Sequence, residues 1–399
     1  MSRLIKLSPE TSARTHTMDW LQSIEPWTNP QNCYAFSKGR VALYAILNTI
    51  GIEPGDEVLV PGFTCVAVPA AVLYLGAIPV FFDIDPATYN GDLDLALRLF
   101  SSKTRAIIIQ HTFGSPAQLD SLLQEFRSRK VAIIEDCAHA LGAHLNGKPV
   151  GTFGDASFCS LQWSKPATTG LGGIALMRNE RLKSRMDEIY NIEFKEPRVF
   201  KSLVLATLSW CYRKFFHHNL FWIAQDSYRF AVKHNLIPGS SSEEELQKTA
   251  MPDNYLEKFG KVRYSSLSSA LSHLPRNLDH RETLAAFYIS ELSDKKVKTQ
   301  KLLPGARSTY LRFPLEVTNK ANLLHAARSA RIEIGDWFNS PLHPKIHRLG
   351  DFGYQIGICP KAEELARRII NLPTHVGVNM SSARRIVEFI LTNSEIMKA

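Results

Sequence analysis

The chain has 399 residues, is 45% hydrophobic and 21% charged, and carries 47 Lys and Arg against 38 Asp and Glu, a formal net charge of +9. This composition excludes a disordered, collagenous or low-complexity chain, and at roughly 100–200 residues per domain the length points to two or three domains. The basic balance permits attraction to phosphorylated or anionic partners and carries no information about fold.

Residues 1–30 form a polar arm ending in Pro26 and Pro30. The arm lacks the uninterrupted apolar stretch of a secretory signal, so a reducing cytoplasm is the expected compartment. The six cysteines, at 33, 65, 137, 159, 211 and 359, show neither CxxC spacing nor a small secreted framework. Neither disulfides nor a metal site is therefore expected.

Ordered structure is expected from about Cys33. Val41 to Ile50 repeats apolar residues at helical spacing and closes on Gly51, with Lys38-Gly39-Arg40 just before it. A glycine at a helix start lets backbone amides point at an anion, and the helix dipole adds to the attraction. Gly55–Pro61 is a turn into a short buried strand, and Phe63–Ala67 opens the next helix. Strands over Ile78–Ile84 and Ala106–Gln110 alternate with helices over Leu93–Phe100 and Leu119–Arg127. Such alternation means right-handed βαβ units, hence an α/β fold with a mostly parallel sheet.

The stretch from Val131 to Gly173 organises the rest. An apolar run, Val131-Ala132-Ile133-Ile134, ends on Glu135 and Asp136, and Lys165 follows shortly before Gly170-Leu171-Gly172-Gly173. Ligands collect at the carboxyl ends of buried parallel strands, and Asp136 stands at such an end. Taken singly, Lys165 reads as a surface lysine and Asp136 as a helix cap. Together with the glycines they suit pyridoxal phosphate chemistry: a lysine amine forms a Schiff base with an aldehyde cofactor, and a carboxylate keeps the pyridine nitrogen protonated.

Glu135-Asp-Cys-Ala-His-Ala-Leu-Gly-Ala143, Val150-Gly-Thr-Phe-Gly-Asp155 and Ser160-Leu-Gln-Trp-Ser-Lys165 with its glycine turn resemble the DegT/DnrJ/EryC/StrS sugar aminotransferases, a branch of the fold-type I pyridoxal phosphate enzymes. The resemblance covers most of the chain outside 1–30 and about 195–250. It implies that Lys165 carries the cofactor, Asp136 pairs with the pyridine nitrogen, His139 lies against the ring and Ser160 binds the phosphate. Gly39 and Arg40 fall in the phosphate turn, where the family usually has Ser-Gly-Thr. Thr64 matches the family's Pro-x-Phe-Thr pattern, with Cys65 where relatives often carry an aromatic. Arg263 matches the arginine of an Asn-x-Arg segment that relatives donate from the neighbouring subunit, which implies a homodimer. Lys261 replaces the asparagine, so a basic phosphate cup of Arg40, Lys261 and Lys38 is expected. His111, in another family motif, reads as structural.

After a strand at Ile174–Met177, residues 195–235 are dense in aromatic and basic side chains and fit the family least well. Val204, Leu208, Cys211 and Phe215 recur at helical spacing, and the longest uncharged run is too short to span a bilayer, which needs about 20 residues. Three readings stay open: a helical pair packed on its own domain or across a dimer, an interfacial helix making peripheral membrane contact through 200–235, and nucleic-acid binding, which is not expected. A linker at 238–245 precedes a long amphipathic segment reaching Leu292. The remainder alternates strand (Thr309–Val317) and helix (Leu323–Arg331, Ser381–Thr392).

The expected domains are an arm (1–30), a large cofactor domain (31–194), an insertion and linker (195–250) and a small domain with the dimer-contributed segment (251–399). The expected activity moves an amino group from an amino acid, glutamate in most relatives, to a keto sugar nucleotide. The alternatives are a same-fold enzyme acting at the membrane on a lipid-linked or other non-nucleotide carbonyl, and a non-catalytic regulatory homologue.

Overall fold

A computed structural model of the chain describes residues 24–29, 31–119, 121–215, 245, 249–295 and 297–393. The central sheet has seven strands: β1 (Cys33–Phe36), β2 (Glu57–Pro61), β3 (Ile78–Phe82), β4 (Thr104–Gln110), β5 (Ala132–Asp136), β6 (Ala156–Ser160) and β7 (Gly173–Met177). Their spatial order is β1-β7-β6-β5-β4-β2-β3, and only β7 runs against its neighbours. The sheet is therefore mostly parallel, as the strand–helix alternation requires.

Strands β4 and β5 are buried along nearly their whole length because helices cover both faces, which is why they read as unbroken β-branched runs. The Gly39–Ile50 helix packs across β6 and β7 and stops at Gly51, whose φ of 89° lies in the left-handed region that glycine adopts freely. Packing begins earlier than Cys33: Ile24 and Trp27 are buried, and Trp27 lies against Gly151.

The 29-residue helix Tyr264–Leu292 crosses from the sheet to a second core, built with the antiparallel pair Phe313–Glu316 and Ile369–Leu372 and the Met380–Thr392 helix. Here the expected strand over Thr309–Val317 is shorter. Its first residues bond instead to the turn after β4, through Thr309 N–H to Gly114 O at 3.1 Å and Leu311 N–H to Phe113 O at 2.9 Å. That diversion ties the second core to the end of β4. The expected helix start at Phe63–Ala67 is also modified. Thr64–Cys65 is extended and pairs with Leu342–His343, and the helix begins at Ala67.

Val199–Phe215 is one helix, as the apolar spacing predicts. Residues 216–244, the remainder of the aromatic and basic stretch and most of its linker, lie outside the described residues. Among the described residues no helix is long and apolar enough to cross a membrane.

Candidate active site

Adjacent residues at the end of β5 diverge in environment because successive side chains on a strand point to opposite faces. Glu135 turns inward and accepts from the backbone N–H groups of Gly151, Phe153 and Gly154 at 2.6–2.7 Å. His111 completes its shell at 3.2 Å; since its Nδ1 accepts from Ala117 N–H, its proton sits on Nε2 and is donated to Glu135. Burial opposes the Glu135 charge, yet the His111 hydrogen bond and the backbone donors hold its carboxyl below the usual range. His111, Glu135 and Cys137 lie close enough together to suggest metal ligands, but this carboxylate is already saturated and the group braces the 151–154 loop.

Asp136 has one such bond, from Ala138 N–H at 2.9 Å, and lines a cavity of about 320 Å³. Burial pushes its carboxyl up, with Ala138, Lys165 and His111 opposing. Lys165 lines the same cavity and is 6% exposed. Burial holds its amine below the ordinary lysine range; Cys65 and Asp136 work against that shift, and Arg312 and Arg281 add to it. An amine with a lowered pKa is more often neutral near pH 7, as a nucleophile or general base must be.

His139 stands between aromatic rings, stacked with Phe338 at 5.8 Å and tilted against Trp337 at 5.3 Å. Its Nδ1 accepts from Phe113 N–H at 3.2 Å, so the other nitrogen carries the proton. Burial and the nearby Lys165 and Arg312 keep it neutral. A flat neutral ring here suits stacking on a heteroaromatic cofactor.

At the far end of the cavity the Gly39–Ile50 helix begins with no side-chain cap, leaving early N–H groups available to an anion. Gly39 is required there: an added Cβ would stand 3.0 Å from Ser160 Cβ and 3.3 Å from Cys159 O. The close approach sets the helix start beside the Ser160 hydroxyl, and both residues line the cavity. An uncapped helix start, a hydroxyl, an amine and a carboxylate in one cavity fit a phosphorylated pyridoxal. Lys165, Asp136, His139, Gly39 and Ser160 would hold it.

The other expected site residues divide between the cavity and its surroundings. Lys38 and Arg40 line the cavity but also flank Glu245, with Lys38 Nζ at 2.7 Å and Arg40 Nη1 at 3.4 Å from its carboxylate. The cup is thus less basic than sequence alone suggests. Thr64 is withdrawn into the wall, donating to Gln110 Oε1 at 2.6 Å, and its neighbour Cys65 faces the cavity instead. Lys261 is exposed and does not line it. Arg263 is buried and gives its donors to its own chain, to the carbonyls of Phe259 and Thr169 at 3.2 Å and to Leu171 O, bracing the glycine turn.

Sequence reasoning missed Trp337, His343, Gln110 and Gln162 as cavity residues, and Arg312, which lies over the Trp337 ring. Trp337 and His343 form a wall opposite Asp136. Lys165 Nζ lies over the Trp337 ring, 4.7 Å from its centroid. His343 is pushed down to about 3 by burial, Arg312 and Lys165, so it is neutral at physiological pH.

This geometry can be set beside known proteins. The family model of the DegT/DnrJ/EryC1/StrS aminotransferases matches residues 19–208 and 260–391. The chain is 44% identical over 141 residues to L-glutamine:scyllo-inosose aminotransferase of Streptomyces griseus, covering 35% of this chain and 33% of that one. It is 26% identical over 356 residues to UDP-N-acetyl-3-dehydro-alpha-D-glucosamine 3-aminotransferase of Acidithiobacillus ferrooxidans, covering 89% and 82%. The first of these matches spans only about a third of the relative's length. In fold it is similar to the aminotransferase TlmJ from Streptoalloteichus hindustanus, with TM-score 0.72, 20% identity and coverage of 97% and 92%. Since the family match takes in both the β5–β7 cofactor wall and the segment carrying Trp337 and His343, the chain belongs to the DegT/DnrJ/EryC1/StrS aminotransferase family.

Proposed function

We propose that this chain is a pyridoxal phosphate-dependent aminotransferase that moves an amino group from an amino acid, glutamate or glutamine, to a keto sugar nucleotide. The observation that carries this is the meeting of Lys165 and Asp136 in one cavity whose other end is the uncapped helix start beside Ser160. When bound, the cofactor supplies an electron sink for the bond-breaking at the amine-bearing carbon.

Each residue then has a stated task. Asp136, with one oxygen held by Ala138 N–H, presents the other to a ring N–H. His139 covers a ring face and excludes water from it. Ser160 Oγ and the first N–H groups of the helix take the phosphate. Lys165 Nζ moves the proton between substrate and cofactor carbons, and its lowered pKa suits that task at neutral pH.

Two relatives bear names of different acceptors, a nucleotide sugar and a cyclitol ketone. The test is a visible-absorbance titration of the loaded protein with glutamate and glutamine, followed by a screen of nucleotide-sugar and cyclitol ketones. A spectrum unchanged by any amino donor overturns the reading. We further propose a homodimer. The Val199–Phe215 helix leaves Phe200 79% exposed and Leu203 48% exposed, an apolar face that a partner subunit would cover. Light scattering tests this. Flotation with anionic liposomes tests the alternative that the same face lies on a membrane.

A further inference from the structure

Two cations at the phosphate end of the cavity share one carboxylate. Glu245, only 4% exposed, receives Lys38 Nζ on both oxygens, at 2.7 and 2.8 Å, and stands 3.4 Å from Arg40 Nη1. Both cations line the main cavity beside Gly39 and Ser160, where the uncapped helix begins. A single carboxylate set against two largely buried cations leaves a positive charge over. Burial lowers the Lys38 amine and Arg40 lowers it further; the direct bond to Glu245 opposes the shift without restoring the ordinary value.

Glu245 approaches these cations from outside the main cavity. It lines a second cavity of about 250 Å³, which includes Lys38 but not Arg40, Gly39 or Ser160. Lys201 lines that side cavity too, with its Nζ 2.5 Å from Glu257. The carboxylate therefore has room to turn away from Arg40 and a further cation to turn toward. A phosphate seated on the helix start and Ser160 carries close to two negative charges at neutral pH and meets Lys38 and Arg40 from the other side. Two cations do not neutralise a carboxylate and a phosphate dianion together, and in a site screened from water the two anions repel strongly.

We propose that Glu245 is an exchangeable counter-ion for the cofactor phosphate: it competes with that phosphate for Lys38 and Arg40 and so sets how tightly the cofactor is held. The proposal rests on the pyridoxal phosphate reading of the cavity and adds a residue outside the cavity wall that regulates it. Arrival of the phosphate turns the carboxylate into the side cavity toward Lys201, and departure returns it. The buried cations keep a counter-charge in both positions, which matters because an unpaired buried charge is strongly destabilising.

The test uses full-length wild type, Glu245→Gln and Glu245→Asp, each stripped of cofactor. Absorbance titration measures binding of pyridoxal phosphate and of pyridoxal, which keeps the aldehyde and lacks the phosphate. We expect Glu245→Gln to bind pyridoxal phosphate roughly 10- to 100-fold more tightly, while pyridoxal changes by less than about twofold. Glu245→Asp, with its charge on a shorter stem, should fall between wild type and Glu245→Gln. Inorganic phosphate should raise the melting temperature of Glu245→Gln more than that of wild type. Unchanged or weaker binding of pyridoxal phosphate in Glu245→Gln overturns the proposal, and so does a tightening that pyridoxal shares. If Glu245→Gln folds only with phosphate or cofactor present, the exchange stands. If it folds with neither, Glu245→Asp decides: tighter phosphate-selective binding supports the proposal and unchanged binding overturns it. Failure of the underlying reading shows separately, as a wild type that takes up neither aldehyde or, once loaded, keeps its spectrum with every amino donor.

Discussion

The two walls of the cavity are built on different principles. The wall from β5 to β7 is made of strand ends and close-packed glycines: Asp136 closes β5, Ser160 closes β6, and Gly39 and Gly173 let the helix start touch the sheet. The opposite wall is carried by Trp337, from an irregular segment, and His343, from the short Leu342–His343 strand, with Arg312 lying over the Trp337 ring. The first wall is fixed by main-chain geometry and offers one arrangement. The second holds two cations over an indole ring and has orphaned donors at its back. Precision for a constant group belongs on the first wall, and discrimination among substrates on the second.

The sharpest way to break that division is to remove the amine. Lys165→Ala should abolish amine transfer, with a loss of at least about 10²- to 10⁴-fold for the acid–base task alone, measured as single-turnover rates. It should leave folding intact, because the truncation relieves a buried cation. A variant that keeps more than a tenth of the wild-type rate would move the chemistry off this wall.

A smaller effect compares two glycines, one on each wall. At Gly173 an added Cβ would stand 2.5 Å from Gly39 Cα and 2.6 Å from Lys38 O, both backbone atoms that cannot swing aside. Gly173→Ala should cost about 1–3 kcal/mol and weaken cofactor retention. At Gly335 the nearest atoms are at 3.5 Å, ordinary contact, so Gly335→Ala should change stability by no more than about 0.5 kcal/mol. Calorimetric melting of the two variants checks the pair. Equal losses would mean that the walls are equally rigid.

This contrast also explains what could be read from the chain. Asp136 and Gly39 could be singled out by local rules, since a β-branched run must be a buried strand whose end faces a ligand and a glycine before an apolar helix marks an anion site. Lys165, by contrast, is expected from its pairing with Asp136 and the glycines, and Ser160 from the family resemblance. Trp337 and Arg312 follow no such rule. An aromatic followed by another aromatic, or an arginine at the edge of a short strand, reads as core and surface, and nothing local tells that Trp337 lies under the Lys165 amine with Arg312 over the same ring. Thr64 shows the converse. The sequence expects Thr64 at the cofactor, and the extended pairing of Thr64–Cys65 with Leu342–His343 instead accompanies a Thr64 withdrawn into the wall and a Cys65 that faces the cavity. Glu245 was illegible for a third reason: nothing in an acidic linker run singles out this carboxylate as one that reaches Lys38 and Arg40.

The finest test sets one residue of each wall against the other through the Lys165 amine. Burial lowers its pKa, Asp136 raises it and Arg312 lowers it further. Asp136→Asn should therefore move the Lys165 titration down, and Arg312→Gln should move it up, each by less than about one unit, or under tenfold in rate at fixed pH. In protein stripped of cofactor, acylation of Lys165 near pH 7 tracks the neutral amine, so the first variant should label faster than wild type and the second slower. Linkage gives the same signs in stability. The folded chain binds fewer protons at Lys165 than the unfolded one between the lowered pKa and the ordinary lysine value, so this residue makes stability rise with pH across that window. Asp136, pushed up, makes stability fall with pH from the ordinary carboxyl range to its raised value. Asp136→Asn should flatten the acid window and widen the alkaline one, and Arg312→Gln should narrow the alkaline window alone. Shifts of the same sign in both variants would mean that the two walls do not act on Lys165 as opposing charges.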